Sequence, residues 1–199
     1  METTHVPPAP RRSARQRLLD AADELFYAGG IHTVGIDRII ERAGVAKASL
    51  YDSFGSKEEL IRVYLEGRHE ARKAQIIETI AHQSEPRDQL LAIFDLLRER
   101  CESGRYRGCP FSRATAEAVP TEGVKHVCDT ARGWLRGLFA DLARRGGAAD
   151  AEALAMQMML LYEGASVSAH MDGSADAAAA ARATAAQLIE LSFTEAGRR

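Results

Sequence analysis

The sequence predicts an all-α fold of about nine helices. Apolar residues recur three and four apart along most of the chain, as in Ile36, Ile39, Ile40 and Ala43. Glycine pairs, prolines and capping hydroxyls interrupt that pattern at intervals suited to helix ends. No stretch alternates apolar and polar residues like a half-buried strand, and no long internal repeat occurs.

Pro7, Pro8 and Pro10 without an apolar run predict a disordered arm over residues 1–10. A first helix follows over about 13–28, with Leu18, Ala22, Leu25 and Phe26 on one face, and Gly29-Gly30 stops it. Thr33 is placed to cap a second helix ending at Ala43. Gly44 supplies a left-handed residue there, and Val45 is an apolar plug for the turn. A third helix covers about 47–54, with Leu50 and Phe54 inward, before Gly55 breaks the chain. Ser56-Lys57-Glu58-Glu59 reads as a capping box, in which the Ser56 hydroxyl takes the Glu59 amide and the Glu59 carboxylate reaches back. It opens a long fourth helix, over about 57–81, on Leu60, Val63, Tyr64, Ile76, Ile77 and Ile80.

Glu85-Pro86 starts the fifth helix, on Leu90, Ile93, Phe94 and Leu97, and Gly104 ends it. Pro110 can open a short helix to about Val119, with Pro120 and Gly123 marking the next break. The seventh helix runs on Val127, Ala131, Trp134, Leu135, Leu138, Phe139 and Leu142 to Gly146-Gly147. The eighth, about 151–170, is apolar on nearly every side and calls for burial on two faces. The last, about 175–195, is alanine-rich and then carries Leu188, Ile189, Leu191 and Phe193.

The 199 residues carry a formal net charge of −2 and three cysteines, Cys101, Cys109 and Cys128, with no CxxC pair. That usage suits reduced thiols in a cytoplasmic protein, and the spacings with His126 fit no common metal-ligand pattern. No apolar run approaches the roughly 20 residues that span a bilayer, and the N-terminus lacks a secretory signal's apolar core. Arg11, Arg12, Arg15 and Arg17 form a basic patch, which Asp20, Asp23 and Glu24 largely cancel. No nucleophile–base pair, HExxH, phosphate loop or catalytic carboxylate pair stands out, which argues against an enzyme. No cofactor is expected.

Two short helices joined by a glycine turn are the arrangement that lays one helix across the DNA backbone and the next in the major groove. The run Ile39, Ala43-Gly44-Val45, Leu50-Tyr51, Phe54 and Ser56-Lys57-Glu58-Glu59-Leu60 resembles the N-terminal DNA-binding domain of the TetR (tetracycline-repressor) family of bacterial transcription regulators. The close likeness covers about the first third of the chain; the rest matches in length and helical layout. It implies a helix-turn-helix domain over 11–58 and an effector-binding and dimerisation domain over 59–199.

The resemblance makes the third helix the recognition helix, presenting Lys47, Ala48, Ser49, Tyr51, Asp52 and Ser53 to double-stranded DNA. Lys47 can donate to guanine or phosphate, Ser49 and Tyr51 to phosphates or base edges, and Ala48 can touch a thymine methyl. Asp52 can only accept. Thr33 and Lys57 resemble positions that clamp phosphates at helix N-termini. Two departures matter: Ser53 stands where a ring is usual, and Ala46 where Ser or Thr usually caps the third helix. The resemblance further implies a pocket for a small effector, with Phe94, Leu97, Cys101, Phe111, Trp134, Met158 and Tyr162 as candidate walls; Glu163 and His126 are candidate polar anchors, with surface or satisfied positions as the alternative, and the scarcity of charged candidates points to a largely apolar effector. Outward apolar faces on the last two helices point to a homodimer reading a palindrome. A repressor is the expected regulator; an activator and an interaction module without DNA binding are the alternatives.

Overall fold

A computed structural model describes residues 12–116 and 120–196, the side chains of 194–196 excepted. The predicted arm over 1–10, Arg11 and the expected helix end at Val119 lie outside the described residues. Among those described there are nine α-helices and no strand: α1 (Ala14–Gly29), α2 (Ile36–Ala43), α3 (Lys47–Phe54), α4 (Lys57–Ala81), α5 (Pro86–Glu102), α6 (Pro110–Ala116), α7 (Glu122–Arg145), α8 (Ala151–Asp172) and α9 (Asp176–Ala196). No helix among them is long and apolar enough to cross a membrane. The chain divides into two compact units, Met1–Tyr64 and Leu65–Arg199, and the division falls inside α4.

In the first unit α1 packs on α2 and α3 around Leu18, Ala22, Phe26, Val34, Ile39, Leu50 and Leu60, all buried. The Phe26 and Tyr64 rings meet at 5.4 Å. Ser13 caps α1, its hydroxyl accepting from the Gln16 amide at 3.1 Å. Gly44 closes α2 with φ at 62°, the left-handed conformation a glycine adopts without strain. Thr33 does not cap α2: the cap is Gly35, which offers no side chain, and Thr33 is exposed in the turn before it. Ala46 precedes α3 with no side-chain cap bond, as its methyl dictates. Only half of the capping box forms. The Ser56 hydroxyl accepts from the Glu59 amide at 3.1 Å, but the Glu59 carboxylate turns to Arg62 at 2.7 and 2.6 Å, a charge-assisted bond that outcompetes a backbone amide.

In the second unit α8 packs between α7 and α9, and α5 lies against α7 and α9. Phe94 and Phe139 stack at 6.0 Å, and Tyr162 meets both edge-on at 6.2 and 6.4 Å. Gly123 lies inside the first turn of α7 rather than before it, because Thr121 supplies the cap to the Val124 amide. Helix α8 runs two residues beyond His170 and stops at Gly173, φ 65°. The small residues Ala178, Ala181 and Ala185 of α9 are buried within the unit itself. On α8, by contrast, Met156, Leu160, Val167 and Met171 are 43%, 60%, 48% and 77% exposed.

Candidate functional site

The exposed side of α3 is built by elimination. Leu50 and Phe54 are buried, so helical geometry turns Lys47, Ala48, Tyr51 and Asp52 outward on one contiguous face, and all four are exposed. Ser49 and Ser53, four residues apart, are half-buried at its rim. Tyr51, 45% exposed, is a large ring held off the core. Lys47 Nζ donates to Asp37 Oδ1 of α2 at 3.1 Å, so its charge is already shared; that bond, and then the Asp37 charge, pushes the lysine pKa up. Lys57 opens α4 and is half-buried.

The basic patch before α3 is largely engaged by the protein. Arg12 pairs with Asp20 at 2.5 Å. Arg15 lays its guanidinium over the Phe54 ring at 5.0 Å. Arg17 Nη1 donates to the Gly44 and Ala43 carbonyls at 3.0 and 3.3 Å, completing the C-terminus of α2. Arg42 pairs with Glu24 at 2.7 Å, whereas Arg38 is exposed. Arg15, Arg17 and Arg42 thus tie α1 to α3 and α2.

The second unit contains a cavity of about 680 Å³ between residues of α4, α6, α7 and α8. Among the residues expected to line an effector site, Phe111 and Tyr162 do. Phe94, Leu97 and Met158 are at most 2% exposed and belong to the core, since helical spacing marks a buried residue without saying whether a void lies beside it. Cys101 is half-buried against the same core, and burial pushes its thiol pKa up. Trp134 is half-buried and meets the His69 ring at 5.9 Å. Of the polar anchors, Glu163 sits on the cavity wall, paired with Arg132 at 2.6 and 3.0 Å. His126 is exposed and lines a smaller hollow with His69. Cys109 and Cys128 also line the cavity; burial raises the Cys128 thiol to about 11, which leaves it protonated and unreactive. Among the described residues no group of three or more His, Cys, Asp or Glu side chains could hold a metal ion.

Sequence reasoning missed His69 and Arg72. Both are buried, at 7% and 8% exposure. Arg72 lines the cavity, lays its guanidinium over the Phe111 ring at 4.6 Å and donates to the Ala131 carbonyl at 2.9 Å. His69 meets Phe111 at 6.4 Å, and burial, then the Arg72 charge, holds its imidazole below the ordinary histidine pKa. Within EGRHEAR these residues read as a solvated charged face. The available signal was register: Leu65, His69, Arg72 and Ile76 form one helical stripe, and all are buried.

Residues 18–64 match the family model described as bacterial regulatory proteins, tetR family. The transcriptional activator FasR of Mycolicibacterium smegmatis is 48% identical over 60 residues, 30% of this chain and 27% of that protein. The transcriptional regulator TtgR of Pseudomonas putida is 27% identical over 171 residues, 77% of this chain and 78% of that one. A crystal structure of a TetR-family transcriptional regulator from Streptomyces coelicolor superposes with a TM-score of 0.80 at 30% identity, covering 92% of this chain and 95% of that chain.

Proposed function

The chain belongs to the TetR family of DNA-binding transcriptional regulators, and from that premise we propose that it is a cytoplasmic, ligand-responsive repressor. It binds a palindromic operator as a homodimer and leaves it when a small effector with a largely apolar body enters the cavity of the second unit. The exposed face of α3 carries this reading: Lys47, Ala48, Tyr51 and Asp52 point away from a core that Leu50 and Phe54 complete. Ser49, Ser53, Thr33 and Lys57 supply further contacts, to phosphate in the main.

The uncovered apolar stripe on α8 supports dimerisation through the last two helices, since a second copy would cover Met156, Leu160 and Val167 by two-fold symmetry. Helix α4 contributes Leu60 and Tyr64 to the first unit and the cavity residue Arg72 to the second. Effector binding therefore bears on a helix whose other end belongs to the DNA-binding unit. The effector dissociates the complex only to the extent that it prefers the non-binding state.

Footprinting of the DNA upstream of the protein's own gene tests this. Two protected half-sites about 34–36 Å apart support it, and uniform protection at low salt alone contradicts it. The likeness of the first unit to an activator favours a second reading, activation by the same unit. Transcription from the bound promoter in a deletion strain separates the two: it rises for a repressor and falls for an activator.

A further inference from the structure

Arg72 is a buried cation with no counter-ion among the described residues. Its neighbours are the Phe111 ring and the Ala131 carbonyl, and Nε has no hydrogen-bond partner. The other charges on the cavity wall are matched. Arg132 and Glu163 neutralise one another, and Asp129 accepts from Lys125 at 2.6 Å. Among the described residues no carboxylate lies within ion-pair distance of Arg72. His69 adds no charge near neutral pH, because its pKa is lowered. Among the described residues the cavity wall therefore carries one uncompensated positive charge, on a side chain more than nine-tenths buried, with an unused N–H donor.

A buried arginine left in this state is costly, and an anionic acceptor entering the cavity removes the cost. The planar guanidinium matches a carboxylate fork, and the Phe111 ring over one face fixes its plane. Phe111, Leu135, Met159 and Tyr162 give the same cavity apolar wall. We propose that the effector is an organic acid: an apolar body of aromatic or aliphatic character whose carboxylate is held by Arg72. This rests on the reading that the cavity is the effector site. It adds a carboxylate to the largely apolar body of the effector, and it places that charge against Arg72 of α4.

The test uses the full-length protein and two fluorescent probes that differ by one anionic group, 1-anilinonaphthalene-8-sulfonate and neutral N-phenyl-1-naphthylamine. The sulfonate dye should bind about tenfold or more tighter than the neutral one. Arg72→Met should abolish that difference while the neutral dye still binds and circular dichroism shows the helical fold intact; Arg72→Lys should retain part of it. Decanoate should displace the dye at concentrations where decanol does not. Equal affinity for the two dyes in the native protein, or an unchanged sulfonate advantage in Arg72→Met, overturns the organic-acid inference alone, provided the neutral dye is excluded by Ser112→Trp, a cavity-filling change at an exposed residue of the wall. If neither dye binds, or Ser112→Trp leaves both bound, the cavity reading falls and the inference with it.

Discussion

Lys47, the first residue of α3, donates to Asp37 near the start of α2 at 3.1 Å, with both side chains largely exposed. The cation best placed to meet DNA is thus held by a carboxylate of the neighbouring helix. With net charge near neutrality and Arg12, Arg15 and Arg17 engaged by side chains and carbonyls of the same unit, the face proposed to meet DNA carries a weak field.

Asp37→Asn should therefore tighten operator binding several-fold and steepen its salt dependence by about one phosphate contact. Fluorescence-anisotropy titrations at several salt concentrations measure both. An unchanged slope would mean that Lys47 makes no phosphate contact.

The uncapped start of α3 leads to a second expectation. Ala46→Ser supplies a hydroxyl to the Ala48 or Ser49 amide and should stabilise the first unit by about 0.5–2 kcal/mol. Thermal melting and slower amide exchange across α3 would register it. No change in either would mean that the introduced hydroxyl does not adopt the capping rotamer.

His69 gives a pH dependence with a definite sign. Its folded pKa lies below the ordinary 6.5, because burial and Arg72 disfavour the charged ring. The unfolded chain therefore takes up the proton first. Stability is full above pH 6.5, declines as the pH falls below it, and levels out beneath the folded pKa. Glu70, 4.0 Å away, opposes this shift and Lys73 reinforces it. His69→Gln should flatten that part of the stability–pH curve in denaturant titrations. An unaltered slope would place the dependence elsewhere.

Leu160, 60% exposed on α8, tests the dimer. Leu160→Arg should leave the melting temperature of the isolated fold nearly unchanged, as for other surface substitutions, while sedimentation shows a monomer in place of a dimer. A native chain that sediments as a monomer would remove the two-fold reading of the operator.

The helices are largely legible in the sequence because their ends are written in local chemistry: Ser13, Gly30, Gly44 and Pro86 each act within a few residues of themselves. Thr33 and Gly123 mislead for the same reason. A capping hydroxyl or a glycine signals an end without fixing which residue serves, and Gly35 and Thr121 take those positions. The α3 face is legible because Leu50 and Phe54 fix which side is buried. The cavity is not. Phe94, Leu97 and Met158 have the same spacing whether they face a void or another side chain, and only the packed structure separates them from Phe111 and Tyr162. Arg72 and His69 are hidden by their own polarity, and the arginines of α1 by partners up to 39 residues away, as in Arg15 over Phe54.

The central claim is that α3 reads DNA through its exposed face. Its most direct test is the operator affinity of Tyr51→Ala and Lys47→Ala against the native protein. Both side chains are exposed, so neither substitution should change the melting temperature, and each should weaken operator binding by about fivefold or more. Native affinity in both variants, with folding intact, would contradict the claim.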